Sequence, residues 1–206
     1  MGGEWQFGEF HLDVLREVGN IGSGHAATAL SQLLGKPINM LVPNVSVLPF
    51  EQVADFVGGA ETVVVAVFLR VEGDVSGNLF FILDDKSARR MLGQLAGLSP
   101  SPERELSELE QSALMEIGNI LAGSYLSSLA DLTRLNMHPS VPGLAVDMAG
   151  AVLSYGLLQF GVMGDKALMI ETQFLEDRVD LGGFCVFIPD PDCFERLFRA
   201  LGVPTE

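Results

Sequence analysis

Hydrophobic and polar positions along the chain follow two periods, and the same order of periods occurs twice. From residue 13 onwards, apolar side chains recur every three or four positions, which predicts a long helix. Strand-like runs follow at residues 45–48, 62–72 and 78–83, and a short helix is predicted at residues 84–98. After a second long helix, strand-like runs are predicted at residues 144–148, 151–160, 167–174 and 183–188, and a last short helix at residues 191–201.

A sequence repeat underlies this order. Residues 15–21 (LREVGNI) match residues 114–120 (LMEIGNI) at an offset of 99 positions, and the same offset relates Pro43 to Pro142. We therefore expect a single domain, residues 1–206, made of two halves (residues 1–98 and 103–206) that are joined by a proline-marked linker at residues 99–102. Ser107 followed by Glu110 predicts a capping box at the start of the second long helix.

The turn-forming sequence at residues 72–74 (EGD) favours antiparallel pairing of the strands around it. The predicted fold is therefore α+β: a pseudo-two-fold duplicated α/β sandwich. Each half would contain a long motif-bearing helix, antiparallel strands and a short helix.

Each long helix is predicted to have one polar stripe and one buried face, since a helix turns about 100° per residue. The stripes consist of Asp13, Glu17 and Asn20 in the first helix and Ser112, Glu116 and Asn119 in the second. The faces predicted to be buried consist of Leu15, Val18, Gly22, Ala26, Ala29 and Leu33, and of Leu114, Ile117, Leu121, Tyr125, Ser128 and Leu132. Solvent exposure alone explains most polar stripes. The recurrence of the same residue types, with an asparagine that favours helices poorly, indicates a function for these two.

Composition narrows the possible functions. The 206 residues include 27 acidic and 12 basic side chains, so the formal charge is −15, which argues against nucleic acid or an anionic membrane surface as a partner. The longest apolar run, residues 63–69, is far shorter than the roughly 20 residues of a membrane span, and no signal peptide is apparent. We expect a cytoplasmic protein.

Other candidate sites are weak. Cys185 and Cys193 have no metal-ligand spacing and are interpreted as ordinary thiols of a reducing compartment, and the three histidines lie far apart, so no metal site is predicted. Residues 22–27 (GSGHAA) fit a dinucleotide-binding fingerprint. They fall within a predicted helix, however, so small residues that permit close helix packing are the better interpretation.

The spacing of the polar stripes, extended to a downstream proline, resembles the signature of the CheC family of chemotaxis phosphatases. The pattern Asp/Ser-x3-Glu-x2-Asn-x22-Pro occurs twice, as Asp13, Glu17, Asn20 and Pro43 and as Ser112, Glu116, Asn119 and Pro142. The resemblance covers nearly the whole chain and is strongest to family members with two motif copies.

The resemblance implies a hydrolase that removes the phosphoryl group from an aspartate of the response regulator CheY. Asn20 and Asn119 would position the attacking water, Glu17 and Glu116 would pair with a lysine of the regulator, and Pro43 and Pro142 would shape the entry into the next strand. The chain would need no cofactor of its own, because the Mg²⁺ belongs to CheY. An alternative is an adaptor that sequesters and regulates the receptor deamidase CheD, with weak or vestigial phosphatase activity.

Overall fold

A computed structural model describes residues 9–101, 103–160, 165–176 and 179–202. The helices are α1 (Glu9–Leu34), α2 (Val53–Phe56), α3 (Asp85–Ala96), α4 (Glu108–Thr133), α5 (Ala149–Phe160) and α6 (Pro191–Ala200). The strands are β1 (Met40–Leu41), β2 (Val45–Pro49), β3 (Val63–Gly73), β4 (Gly77–Asp84), β5 (Met137–Pro139), β6 (Gly143–Met148), β7 (Lys166–Glu176) and β8 (Val179–Pro189). A short 3-10 turn, Phe50–Gln52, precedes α2.

The strands form one antiparallel sheet in the order β1-β7-β8-β4-β3-β5, with β2 also pairing with β7 and β6 also pairing with β3. The α+β class and the antiparallel pairing are therefore confirmed. The strand order is pseudo-two-fold symmetric. In it, β1 and β2 are equivalent to β5 and β6, β3 is equivalent to β7, and β4 is equivalent to β8. Strands from residues 1–98 pair with strands from residues 103–206 at five places: β1 and β2 with β7, β4 with β8, and β5 and β6 with β3.

The boundaries of the two halves stay a prediction. The segment at residues 97–101, between α3 and α4, has neither helix nor strand structure, and Pro102 lies outside the described residues.

The sheet separates two layers of helices. On one face, α1 and α4 lie side by side, and their apolar residues share two buried clusters with α3, α6 and the sheet. On the other face, a third cluster joins α2 and α5 to the opposite side of the same strands. Burial of apolar surface on both faces provides most of the driving force for this arrangement.

Two sequence predictions are wrong. Residues 151–160, predicted as a strand, belong to helix α5, and the buried residues Ala149, Val152 and Leu153 follow helical spacing. Leu33 and Leu132, predicted to be buried, are 53% and 47% exposed. Leu30 and Leu129 are buried, and in the last turn the inward positions are those of Leu34, which packs against a core cluster, and Thr133, which is buried.

The predicted capping box of α4 is confirmed. The backbone N–H of Ser107 donates to Oε2 of Glu110 at 2.7 Å, and the backbone N–H of Glu110 donates to Oγ of Ser107 at 3.4 Å. These bonds satisfy two backbone donors at the helix start, so the position where α4 begins follows from local sequence.

Candidate functional site

The two predicted stripes lie on the outer side of the central helix pair. Asp13, Glu17 and Asn20 of α1 are exposed, as are Ser112 and Glu116 of α4, whereas Asn119 is half-buried. The repeated sequence therefore places a carboxylate and a carboxamide on a well-packed helix in each half. A helix holds both groups more firmly than a loop would.

The glycine between the two functional side chains faces the sheet. A Cβ atom at Gly118 would lie 2.6 Å from Cβ of Val67 in β3, and one at Gly19 would lie 3.1 Å from Cγ1 of Val42 and 3.5 Å from Cγ2 of Ile170 in β7. Glu17 is two residues from Gly19, or about 200° around the helix, and so points away from the sheet. The same relation holds between Glu116 and Gly118.

The contact between α1 and α4 sets the direction of Asn20. A Cβ atom at Gly22 would lie 2.5 Å from Cδ1 of Tyr125, so the absence of a side chain lets α4 approach closely. The Tyr125 hydroxyl shares a buried hydrogen bond of 2.8 Å with Oγ1 of Thr172 in β7. Asn20 lies two residues before Gly22, about 200° around α1, and therefore points away from α4. The predicted role of Gly22 in helix packing is confirmed.

After each long helix, the chain turns back along the sheet and brings the motif proline close to the motif glycine. Val42, which contacts Gly19, directly precedes Pro43, and Val45 then pairs with Ile170. Pro142 directly precedes Gly143, which pairs with Phe68 next to Val67. The 22-residue spacing thus lets the chain finish the helix, turn and come back beside the motif glycine.

The two sites differ in their surroundings. In α1, Nη1 of Arg16 donates to Oδ1 of Asp13 at 2.6 Å, beside Glu17. The corresponding positions in α4 are Met115 and Ser112, which form no such ion pair. Val42 is buried, whereas its counterpart Val141 is 90% exposed. The polar stripes do not include Arg16, although its position three residues after Asp13 is a known ion-pair spacing that could have indicated it.

The remaining candidates are structural. Burial raises the pKa of the Cys185 thiol to about 12, which keeps it protonated. Sγ of Cys193 accepts a hydrogen bond from the backbone N–H of Ser76 at 3.3 Å. Among residues 9–101, 103–160, 165–176 and 179–202, no three or more His, Cys, Asp or Glu side chains are grouped as a metal site would require.

These features define an antiparallel α+β protein with two helix faces that carry the same acid–amide pair, in which both acids are exposed. A sequence profile of the CheC-like family matches residues 10–47 and 109–145, which contain both motifs. The "CheY-P phosphatase CheC" of Bacillus subtilis (strain 168) is 45% identical over 198 residues, covering 94% of this chain and 95% of the relative. The chain belongs to the CheC-like family.

One further relative and two solved structures are similar to this chain. The "Putative CheY-P phosphatase CheC1" of Halobacterium salinarum is 29% identical over 92% of this chain and 95% of its own length. FliY of Thermotoga maritima, a solved structure, has 22% identity and a TM-score of 0.74, covering 96% of this chain and 98% of that chain. FliM in a complex with SpeE from H. pylori has 12% identity and a TM-score of 0.69, covering 96% and 97%. The two structures share the fold.

Proposed function

We propose that this chain hydrolyses the phospho-aspartate of a CheY-type response regulator at two sites, one on α1 and one on α4. The observation that carries the proposal is the repeated Glu–Asn pair, which stands on the outer side of a packed helix in both halves. The 45% identity to a CheY-P phosphatase of B. subtilis supports the same reaction.

The chemistry of the pair suits this reaction. The transition state of phosphoryl transfer is loose, so catalysis depends on positioning and on charge stabilisation more than on a strong nucleophile. The carboxamide oxygen of Asn20 or Asn119 accepts a hydrogen bond from water and orients its lone pair towards phosphorus. The amide is uncharged, so the phosphoryl oxygens do not repel it as they would repel a carboxylate.

The glutamates serve recognition in this proposal. Glu17 and Glu116 each accept hydrogen bonds from a lysine of the regulator, which holds the asparagine in register with the phosphoryl group. The net charge of −15 opposes the approach of another acidic protein, so these short-range contacts provide much of the specificity. Pro43 and Pro142 shape the loops beside the two pairs.

We place the metal on the partner. The regulator would carry Mg²⁺ next to its phospho-aspartate, and this chain would contribute no cofactor. Its own residues then only dock on the phosphorylated site, orient water and exclude bulk solvent.

Simultaneous replacement of both asparagines tests the mechanism. We expect N20A/N119A to lose about 100-fold or more of the acceleration of regulator dephosphorylation, because the attacking water is no longer oriented. The measurement is the decay of phosphorylated CheY with and without the chain. The matched control is Q32A/D131A, which changes exposed residues at equivalent positions twelve residues further along the same helices. Full activity of N20A/N119A would exclude the mechanism.

Binding to CheD stays a prediction from the family resemblance. Co-precipitation of purified CheD with this chain tests it, and the phosphatase assay repeated in the presence of CheD shows whether the two roles are coupled. We place the protein in the cytoplasm, where CheY-type regulators act. In the part of the chain that the structure describes, none of the helices combines the length and the apolar character of a membrane span.

A further inference from the structure

We propose that Gly19 and Gly118 are positioning residues, which set the distance between the helical part and the strand part of each catalytic motif. The proposal rests on the proposed phosphatase function. Each glycine lies between the glutamate and the asparagine in sequence, and each is in contact with the strand framework that carries the motif proline.

The contact at Gly118 is the tighter of the two. A Cβ atom there would lie 2.6 Å from Cβ of Val67 and 2.7 and 2.8 Å from its two γ carbons, whereas carbon atoms normally stay 3.5–4.0 Å apart. Val67 pairs with Leu144, two residues after Pro142. The helix bearing Asn119 and the strand that follows Pro142 therefore meet at this point.

The contact at Gly19 has the same position but is looser. A Cβ atom would lie 3.1 Å from Cγ1 of Val42, the residue directly before Pro43, and 3.5 Å from Cγ2 of Ile170. Ile170 pairs with Val45, two residues after Pro43. Val67 and Ile170 are the two ends of one aligned row across the sheet, Val67–Phe81–Cys185–Ile170, so the contact of Gly19 with Ile170 is equivalent in position to that of Gly118 with Val67.

A side chain at either glycine would change the geometry of the site. An alanine at position 118 must lift α4 from the sheet by about 1 Å to restore normal contact, and one at position 19 must lift α1 by a few tenths of an ångström. The proline loop stays on the sheet, so a partner that touches both parts cannot follow both. Misplacement of catalytic groups by about 1 Å can cost 100-fold in rate.

The first test isolates the second site. In an N20A background, in which only the α4 site acts, we expect G118A to lower kcat for dephosphorylation of phosphorylated CheY by about 10- to 100-fold. The control is G93A in α3, where a new Cβ would meet only the backbone oxygen of Leu98 at 3.4 Å, and kcat should be unchanged. A G118A variant that folds and keeps its kcat overturns the proposal.

The second test uses rescue at the first site, in an N119A background. We expect G19A to lower kcat about 3- to 10-fold and V42A to restore it, because V42A removes the γ carbons that the new Cβ would meet. V42A also removes buried apolar volume and should lower Tm. A higher rate in a less stable protein separates positioning from stability. Failure of V42A to restore the rate of G19A overturns the proposal, and this pair decides the matter if G118A does not fold.

We expect truncation of the contacting valine to rescue the first site but not the second. V67A should not rescue G118A, because Cβ of residue 67, the atom 2.6 Å away, remains in alanine. Failure of the proposed phosphatase function can be distinguished from failure of the glycine proposal, because the wild-type chain would then not accelerate the decay of phosphorylated CheY at all. The glycine variants are compared only if it does.

Discussion

Glu110 illustrates how a single residue can fix the start of the second motif helix. Its carboxylate accepts hydrogen bonds from both terminal nitrogens of Arg104, at 2.7 and 2.8 Å, and from the backbone N–H of Ser107. The Arg104 guanidinium and the Ser107 backbone lower the pKa of Glu110 from its ordinary value near 4.5 to about 2. A carboxyl group with a lowered pKa stabilises the fold above its unfolded pKa.

The pH dependence of an E110Q variant tests this role. We expect E110Q to lower Tm at pH 7, and the deficit to shrink as the pH falls from about 4.5 to about 2, where the wild-type carboxylate becomes protonated. Thermal unfolding across this range is the measurement, and E103Q, at an exposed glutamate of the same segment, is the control. A deficit that stays constant down to pH 2 would contradict the assignment.

At the scale of single residues, sequence spacing was enough to predict the features that depend only on nearby residues, such as helix caps and the exposed side of a helix. The Ser107–Glu110 box and the orientation of Glu17 away from the sheet both follow from positions along one helix. The packing roles of Gly19 and Gly118 could not be predicted, because their contact atoms belong to strands that are remote in sequence. A glycine in a helix lowers helix propensity, and that cost was the available signal.

The helix pair α1–α4 is the element-scale feature on which both sites depend. The two helices approach closely because Gly22 leaves room for the ring and backbone of Tyr125. Tyr125 in turn is fixed to β7 through Thr172, so the crossing is tied to the sheet.

A G22A substitution should separate the pair or strain it. The new Cβ would lie 2.5 Å from Cδ1 and 3.1 Å from Cα of Tyr125, so we expect a destabilisation of about 1–3 kcal/mol. Urea unfolding measures it. G24A, two residues away with nothing within 4 Å, provides the matched control and should be neutral or stabilising by about 0.5–1 kcal/mol. Equal stability of G22A and G24A would argue against the close crossing.

The type of an element could be predicted where its periodic segment was long, but not where the segment was short. The long helices have several turns of consistent pattern, whereas the apolar run at residues 151–160 is compatible with a strand or a buried helix. The buried set Ala149, Val152 and Leu153 shows which face the tertiary structure selects. The prediction for Leu33 and Leu132 was wrong by one position, because Leu34 and Thr133 are the residues that face the core in these last turns.

At the scale of the whole molecule, the sheet fixes the distance between the sites. Gly19 and Gly118 rest on the two ends of the row Val67–Phe81–Cys185–Ile170, which spans three strand spacings, or about 14 Å. A domain of about 100 residues has a radius of gyration near 13 Å and is therefore about 30 Å wide. Two such partners fit only if they approach from diverging directions, and Asn20 points away from α4.

We therefore expect two regulators to bind at once. Titration calorimetry with beryllofluoride-loaded CheY, a stable mimic of the phosphorylated state, should give two regulators per chain. E17R and E116R, which each reverse the charge at one site, should each give one. Saturation of the wild-type chain at one regulator, with both single variants also binding one, would show instead that the sites exclude each other.

The pairing of strands between the two parts of the chain could not be predicted from the sequence. Alternation and turns indicate strands and local hairpins, but the pairing of β2 with β7 and of β6 with β3 depends on registers between residues at least 75 positions apart. The acidic composition argued against nucleic acid and anionic membranes as partners but did not indicate where any partner would bind.

This strand exchange constrains how such a protein can change during evolution. Each part of the chain supplies β-strands that complete the sheet of the other, so deletion of either would leave unpaired strand edges and exposed core in the remainder. A mutation in one Glu–Asn pair touches only the outer side of a helix and leaves the sheet intact. Loss of the catalytic residues of one site should therefore leave the fold stable, whereas loss of the repeat that carries them should not. A repeat without catalytic activity would be retained because the other repeat needs its strands.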